Sequence, residues 1–210
     1  MTLPDPPILV VTDRAQCNES IESRALALFR GGCRWLSLRE KDMEPGARLS
    51  LLERLTAIGR AFGATIGVHE DLGAALAVGA AVHLPASADP VAARLALGIG
   101  GLIGQSCHDT AELEAAARGG ADSATLGPVF PTAGKPGYQP ALPLKELGRM
   151  AAGANLPVLA LGGVTIETAR AIVRSGFAGV AVMGVAMRTP DPEGWFASLA
   201  AAVGGKDQGG

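Results

Sequence analysis

Three cysteines, Cys17, Cys33 and Cys107, are all that the 210 residues contain, and none stands in a CxxC pair or at a metal-type spacing. That excludes a disulfide scaffold and a cysteine-rich zinc site, and it fits a reducing compartment. Aromatic residues are scarce at 4%, with one tyrosine and two tryptophans, too few for a base-stacking surface. Lys and Arg total 18 against 20 Asp and Glu, for a net charge of -2, and no block of one sign occurs. The basic patch of a nucleic-acid binder is therefore missing, and a small-molecule ligand is expected instead. No apolar run approaches the roughly 18 residues of a membrane span, and no basic segment leads into an apolar signal at the N-terminus. No membrane association and a cytoplasmic location are the expectation.

What the chain has in abundance is alternation. Short apolar, β-branched runs fall at 8–12, 35–39, 64–68, 81–84, 102–106, 123–126, 157–161 and 179–183. Segments of helical spacing lie between and after them, at 21–29, 47–62, 72–78, 90–97, 110–118, 144–152, 168–174 and 193–203. Strands alternating with helices pair in parallel through right-handed crossovers. A strand, a helix and two short loops need roughly 24 residues, so eight such units nearly fill this chain. The expected fold is a single (β/α)8 TIM barrel over 1–203, with the Gly-rich 204–210 as a disordered tail. An open doubly wound sheet is the competing arrangement, but it leaves two edges to protect. Exposed apolar positions on an Ala/Leu-rich barrel admit a homodimer.

In a barrel of this kind the working face is built from the C-terminal ends of the strands. The polar residues there are Thr12, Asp13 and Arg14; Arg39, Glu40, Lys41 and Asp42; His69, Glu70 and Asp71; then Ser106 and His108. Thr132 and Lys135 sit in "TLGPVFPTAGKPGY", a stretch too rich in proline and glycine to be a helix. Gly162, Gly163 and Val164 follow the seventh strand and Gly184 the eighth, the positions where a barrel commonly binds phosphate through backbone N–H groups. Arg39, Lys41 and Lys135 put three cations on this face, enough for a second anionic group. His69 and His108, at strand ends, are candidate acids or bases near neutral pH, whereas His83 inside "AVHL" reads as a packed barrel residue.

With these residues in place, the chain resembles the thiamine phosphate synthase family, which includes the thiazole tautomerases. The likeness runs from "ILVVTDR" to "VAVMGVAM", and its most specific pieces are "SLREKD", "AVHL", "GADSATLGPVFPT" and "LPVLALGGVT". The resemblance implies thiamine biosynthesis: condensation of hydroxymethylpyrimidine diphosphate with hydroxyethylthiazole phosphate, giving thiamine phosphate and pyrophosphate. It implies that the pyrimidine carbon ionises and that the thiazole nitrogen captures the carbocation. By position, Arg39, Lys41, Thr132 and Lys135 would hold the diphosphate, with Ser106 beside it, and Gly163 with the turn at Gly184 would hold the thiazole phosphate. Magnesium (Mg2+) would accompany the diphosphate, with Glu70 and Asp89 as its carboxylates.

Several positions depart from that family's pattern. Its Gln-x-Arg is Ser37-Leu38-Arg39, and its Asn-Asp is His69-Glu70. Its second metal carboxylate falls on Ala88, with Asp89 next, its Thr-x-Thr-Lys is Thr132-Ala133-Gly134-Lys135, and its final serine is Gly184. "VHLPASADP" and "GKPG" look more like the tautomerase branch, which moves a proton on the thiazole phosphate ring. That branch's histidine before "VF" is Pro128, so His69 or His108 would have to supply the base. A catalytically weak paralogue with a binding or regulatory role is the third reading.

Overall fold

The computed structural model describes residues 2–131 and 142–204. Eight parallel strands close into one barrel: β1 (Ile8–Val11), β2 (Trp35–Leu38), β3 (Thr65–His69), β4 (Ala81–Leu84), β5 (Ile103–Cys107), β6 (Ser123–Leu126), β7 (Val158–Leu161) and β8 (Gly179–Val182). Closure joins β1 to β8, with Leu9 opposite Ala181. The eight expected strands are all present, and the open-sheet alternative is excluded because no edge remains. These strands are buried on both faces, which is why they read as short continuous apolar runs.

The helices are α1 (Ile21–Arg30), α2 (Pro45–Arg60), α3 (Leu72–Val78), α4 (Pro90–Leu97), α5 (Thr110–Arg118), α6 (Leu144–Gly153), α7 (Ile166–Ser175), the short α8 (Gly184–Arg188) and α9 (Pro192–Gly204). Many start where a side chain can accept from an orphan N–H of the first turn. Ser20, Asp71, Asp89, Asp109 and Thr165 cap α1, α3, α4, α5 and α7 in this way. Each cap fixes the point at which the chain leaves the strand's C-terminal end, and so holds the mouth loops in register.

Two cores result. Leu28, Phe29, Leu52, Leu55, Leu113, Ile172 and Phe196 fill the layer between sheet and helices. Leu9, Val11, Trp35, Ala81, Leu102, Leu159 and Ala181 fill the barrel itself. The interior is packed rather than hollow, with one void of about 10 Å3 beside Trp35 and His83.

Candidate active site at the mouth of the barrel

Toward the C-terminal end the barrel interior changes character. Ser37 of β2, His69 of β3, His83 of β4, Ser106 of β5 and Thr125 of β6 form a polar belt across five neighbouring strands. Ser37 Oγ and His69 Nδ1 share a hydrogen bond of 3.0 Å, and His83 Nε2 lies 3.1 Å from Ser106 Oγ. Thr125 Oγ1 is 3.5 Å from the same nitrogen. The two imidazoles stack with centroids 4.6 Å apart and planes inclined by 30°. Gly104 makes this possible, because a Cβ there would come within 2.5 Å of His83 Nδ1. His69 belongs to β3 and pairs with His83, so the strand runs one residue further than the apolar pattern predicts.

Both rings are neutral at pH 7. Burial, then the neighbouring His83 and the positive charges of Arg39 and Lys41, hold His69 well below its ordinary 6.5. Burial pushes His83 down to about 4. His69 Nε2 has no hydrogen-bond partner among the described residues, and the residue as a whole is half-buried at the end of β3.

The cations stand over this belt. Lys41 Nζ binds Glu70 Oε1, both side chains being well exposed. Glu70 takes a left-handed backbone at φ 62° directly after β3, which swings it out of the strand's line. Arg39, just past β2, has no acid partner among the described residues. Its backbone N–H donates to Thr12 Oγ1 at 2.9 Å, and Thr12 in turn donates to the buried carboxylate of Glu40 at 2.8 Å. Glu40 also accepts from the Arg14 backbone N–H at 3.0 Å, and Arg14 grips Asp42 at 2.5 Å. Thus Thr12, Arg14, Glu40 and Asp42, polar residues of the first two strand ends, are spent on bracing those loops together.

On the opposite side, Gly162 and Gly163 adopt φ 97° and 66°, and a Cβ at either would strike Pro128 or Phe130. The β7 turn therefore nests against the loop after β6, with Val129 N–H donating to Leu161 O at 2.9 Å and Phe130 N–H to Gly162 O at 3.2 Å. Val164 is buried, and Thr165 closes a capping box on α7. Gly184 opens α8.

The remaining predicted residues separate. His108 is exposed and turned to α5, its Nδ1 3.0 Å from Glu112 Oε2, so it does not join His69 and His83. Asp89 caps α4, accepting from Val91 N–H at 3.0 Å. Thr132 and Lys135 lie outside the described residues. Burial pushes the Cys33 and Cys107 thiols up to about 12, leaving them inert. Two residues that sequence reasoning missed complete the mouth between β1 and β8: Gln16, which donates to Asp13 at 2.5 Å, and Arg188, which donates to Gln16 Oε1. The chain carries no local signal for them, since they meet across 172 positions.

Two larger hollows lie away from this chemistry. One, of about 480 Å3, runs between α5 and α6, and the other, of about 410 Å3, lies at the N-terminal end of the barrel. Neither gathers the polar groups of the mouth.

Comparison with known proteins agrees with the geometry. Residues 8–185 match the family model described as thiamine monophosphate synthase. The chain is 37% identical over 207 residues to a thiamine-phosphate synthase of Chlorobium luteolum, covering 97% of this chain and 96% of that one. It is 35% identical over 189 residues to the thiamine-phosphate synthase of Roseiflexus castenholzii, covering 89% and 83%. The solved thiamine phosphate pyrophosphorylase from Pyrococcus furiosus superposes with a TM-score of 0.83 at 25% identity, over 93% of this chain and 94% of that one. With the family model covering most of the chain and relatives of this identity along nearly its whole length, the chain belongs to the thiamine monophosphate synthase family.

Proposed function

We propose that the protein is a thiamine-phosphate synthase, joining hydroxymethylpyrimidine diphosphate to hydroxyethylthiazole phosphate with release of pyrophosphate. The observation that carries this reading is the pairing of two cations, the half-buried Arg39 and the exposed Lys41, with a floor of neutral imidazoles, His69 and His83. In the reaction the bond between the pyrimidine methylene carbon and the diphosphate oxygen breaks, its electron pair leaving with the diphosphate. Arg39 and Lys41 stabilise the charge gathering on that leaving group. The floor beneath stays uncharged, so no fixed cation in the belt opposes the positive charge developing on carbon. The thiazole nitrogen then donates its lone pair to that carbon, and the C–N bond forms.

For the thiazole phosphate, the glycine turn after β7 and the loop after β8 are the proposed seat, as at other barrel phosphate sites. Glu70 and Asp89 stand after the adjacent strands β3 and β4, and each carboxylate keeps an oxygen without a backbone or cationic partner among the described residues. These hard oxygens fit the common magnesium mode, in which one or two protein carboxylates share the ion with substrate phosphates and water. No group of three or more metal-binding side chains stands together among the described residues, so the protein alone makes no closed cage. When bound, magnesium would neutralise part of the diphosphate charge, and Lys41 would exchange Glu70 for a phosphate oxygen.

Steady-state kinetics with Arg39→Ala test the assignment. Loss of a charge-assisted hydrogen bond should raise the KM for the pyrimidine diphosphate by roughly tenfold or more. The KM for thiazole phosphate should hardly move. An unchanged KM for the diphosphate, or equal changes for both substrates, would remove Arg39 from the role.

A second reading, proton transfer on a thiazole phosphate ring, is favoured by one observation: His69 is neutral, and its Nε2 has no partner among the described residues. Ring-proton exchange in wild type that disappears in His69→Asn would support it, and exchange surviving that change would end it. The homodimer expected from sequence would use α3, α4 and the turn after α4, where Leu76, Val91, Leu95 and Ile99 are exposed. A helix apolar on its outer face as well as its inner one is a buried helix in its assembled state. Sedimentation at micromolar concentration should show a dimer, and a monomer that persists there would contradict it.

A further inference from the structure

We propose that Arg188 is a phosphate-binding cation of the mouth, and that it decides whether the second substrate must be phosphorylated. It lies at the end of α8, and its guanidinium folds back over the start of that helix. A Cβ at Gly184 would stand 2.5 Å from Arg188 Nη1 and 2.6 Å from Gln16 Oε1. The guanidinium thus occupies the space beside the Cα of Gly184, between β1 and β8.

Arg188 makes no ion pair among the described residues. Arg14 is bound to Glu40 and Asp42, and Arg48 to Asp71. Arg188 pairs with no carboxylate among the described residues; its hydrogen bond there goes to the neutral carbonyl of Gln16. Gln16 is itself oriented by Asp13 at 2.5 Å. A tether of this kind aims a cation without discharging it. The guanidinium keeps its remaining N–H groups for an acceptor, and its planar fork suits phosphate oxygens better than an ammonium would. At the same end of the barrel, after the neighbouring strand β7, stand the left-handed glycines Gly162 and Gly163. The inference rests on the synthase reading only in identifying the anion as the phosphate of the thiazole.

Calorimetric titration with inorganic phosphate tests the cation apart from the reaction. Wild type, Arg188→Ala, Arg188→Lys and Arg118→Ala would be compared, the last removing an exposed arginine of α5 that pairs with Glu114 outside the mouth. The proposal expects saturable binding to wild type, a loss of roughly tenfold or more in Arg188→Ala, partial recovery in Arg188→Lys and no change in Arg118→Ala. No saturable binding to wild type, undiminished binding in Arg188→Ala, or an equal loss in Arg118→Ala would each overturn it. In turnover, Arg188→Ala should raise the KM for thiazole phosphate, leave that for the pyrimidine diphosphate unchanged, and narrow the preference over unphosphorylated thiazole alcohol. A merely structural role would move both KM values together. If wild type binds phosphate through Arg188 yet forms no thiamine phosphate, the synthase reading fails and the cation stands.

Discussion

His69 and His83 are held in their uncharged forms by burial and, for His69, by nearby cations, and this has a consequence for stability. Both folded values lie below the ordinary 6.5, so below 6.5 the unfolded chain binds protons that the folded chain refuses, for His83 down to about 4. Their contribution is therefore complete above pH 6.5 and is lost as pH falls below it, that of His83 as pH falls toward 4. Each fully responding histidine gives a slope of up to about 1.4 kcal/mol per pH unit. Urea unfolding as a function of pH should show this decline, and His83→Gln should flatten it; equal slopes in the two proteins would contradict the assignment. At this scale the sequence was only partly legible. "SLREKD" and "VHED" announce polar strand ends, but a polar residue closing a buried strand looks the same as one opening a loop. His69 therefore read as following β3 when it is the last residue of it. Its partnership with Ser37 depends on adjacent strands 32 positions apart.

The glycine turn after β7 and the capped start of α7 work as one element. Gly163→Ala would put a Cβ 2.5 Å from Phe130 Cβ on a backbone at φ 66°. The left-handed conformation alone costs about 1–2 kcal/mol for a residue with a Cβ, and the overlap adds to it. A Tm lower by roughly 2–8 °C is expected, taking about 2–4 °C per kcal/mol for a chain of this size. Thiazole phosphate should also bind more weakly, because the turn must move; an unchanged Tm would show that the loop after β6 yields freely. Thr165→Ala removes the side chain from a reciprocal cap and should cost about 1 kcal/mol, with no effect on either KM. Helices were readable from spacing and from these caps, since Asp, Ser and Thr before an apolar period mark a start. The five-residue α8 is too short to show a period, and that is where Arg188 escaped notice.

For the whole molecule, the count of alternating segments carried the architecture: eight runs of strand length with helices between them can close a barrel, and closure removes every edge. What closure then does is bring β1 beside β8, and with them Gln16 beside Arg188, a juxtaposition that no local pattern encodes. The mouth so formed sets cations above a neutral floor, an arrangement suited to holding a diphosphate and letting it depart with the electron pair. Incubation of the purified protein with hydroxymethylpyrimidine diphosphate, hydroxyethylthiazole phosphate and magnesium, following thiamine phosphate and pyrophosphate together, tests it most directly. Both products should appear, in equal amounts and at the same rate. Pyrophosphate without thiamine phosphate, or neither product from protein that binds both substrates, would contradict it.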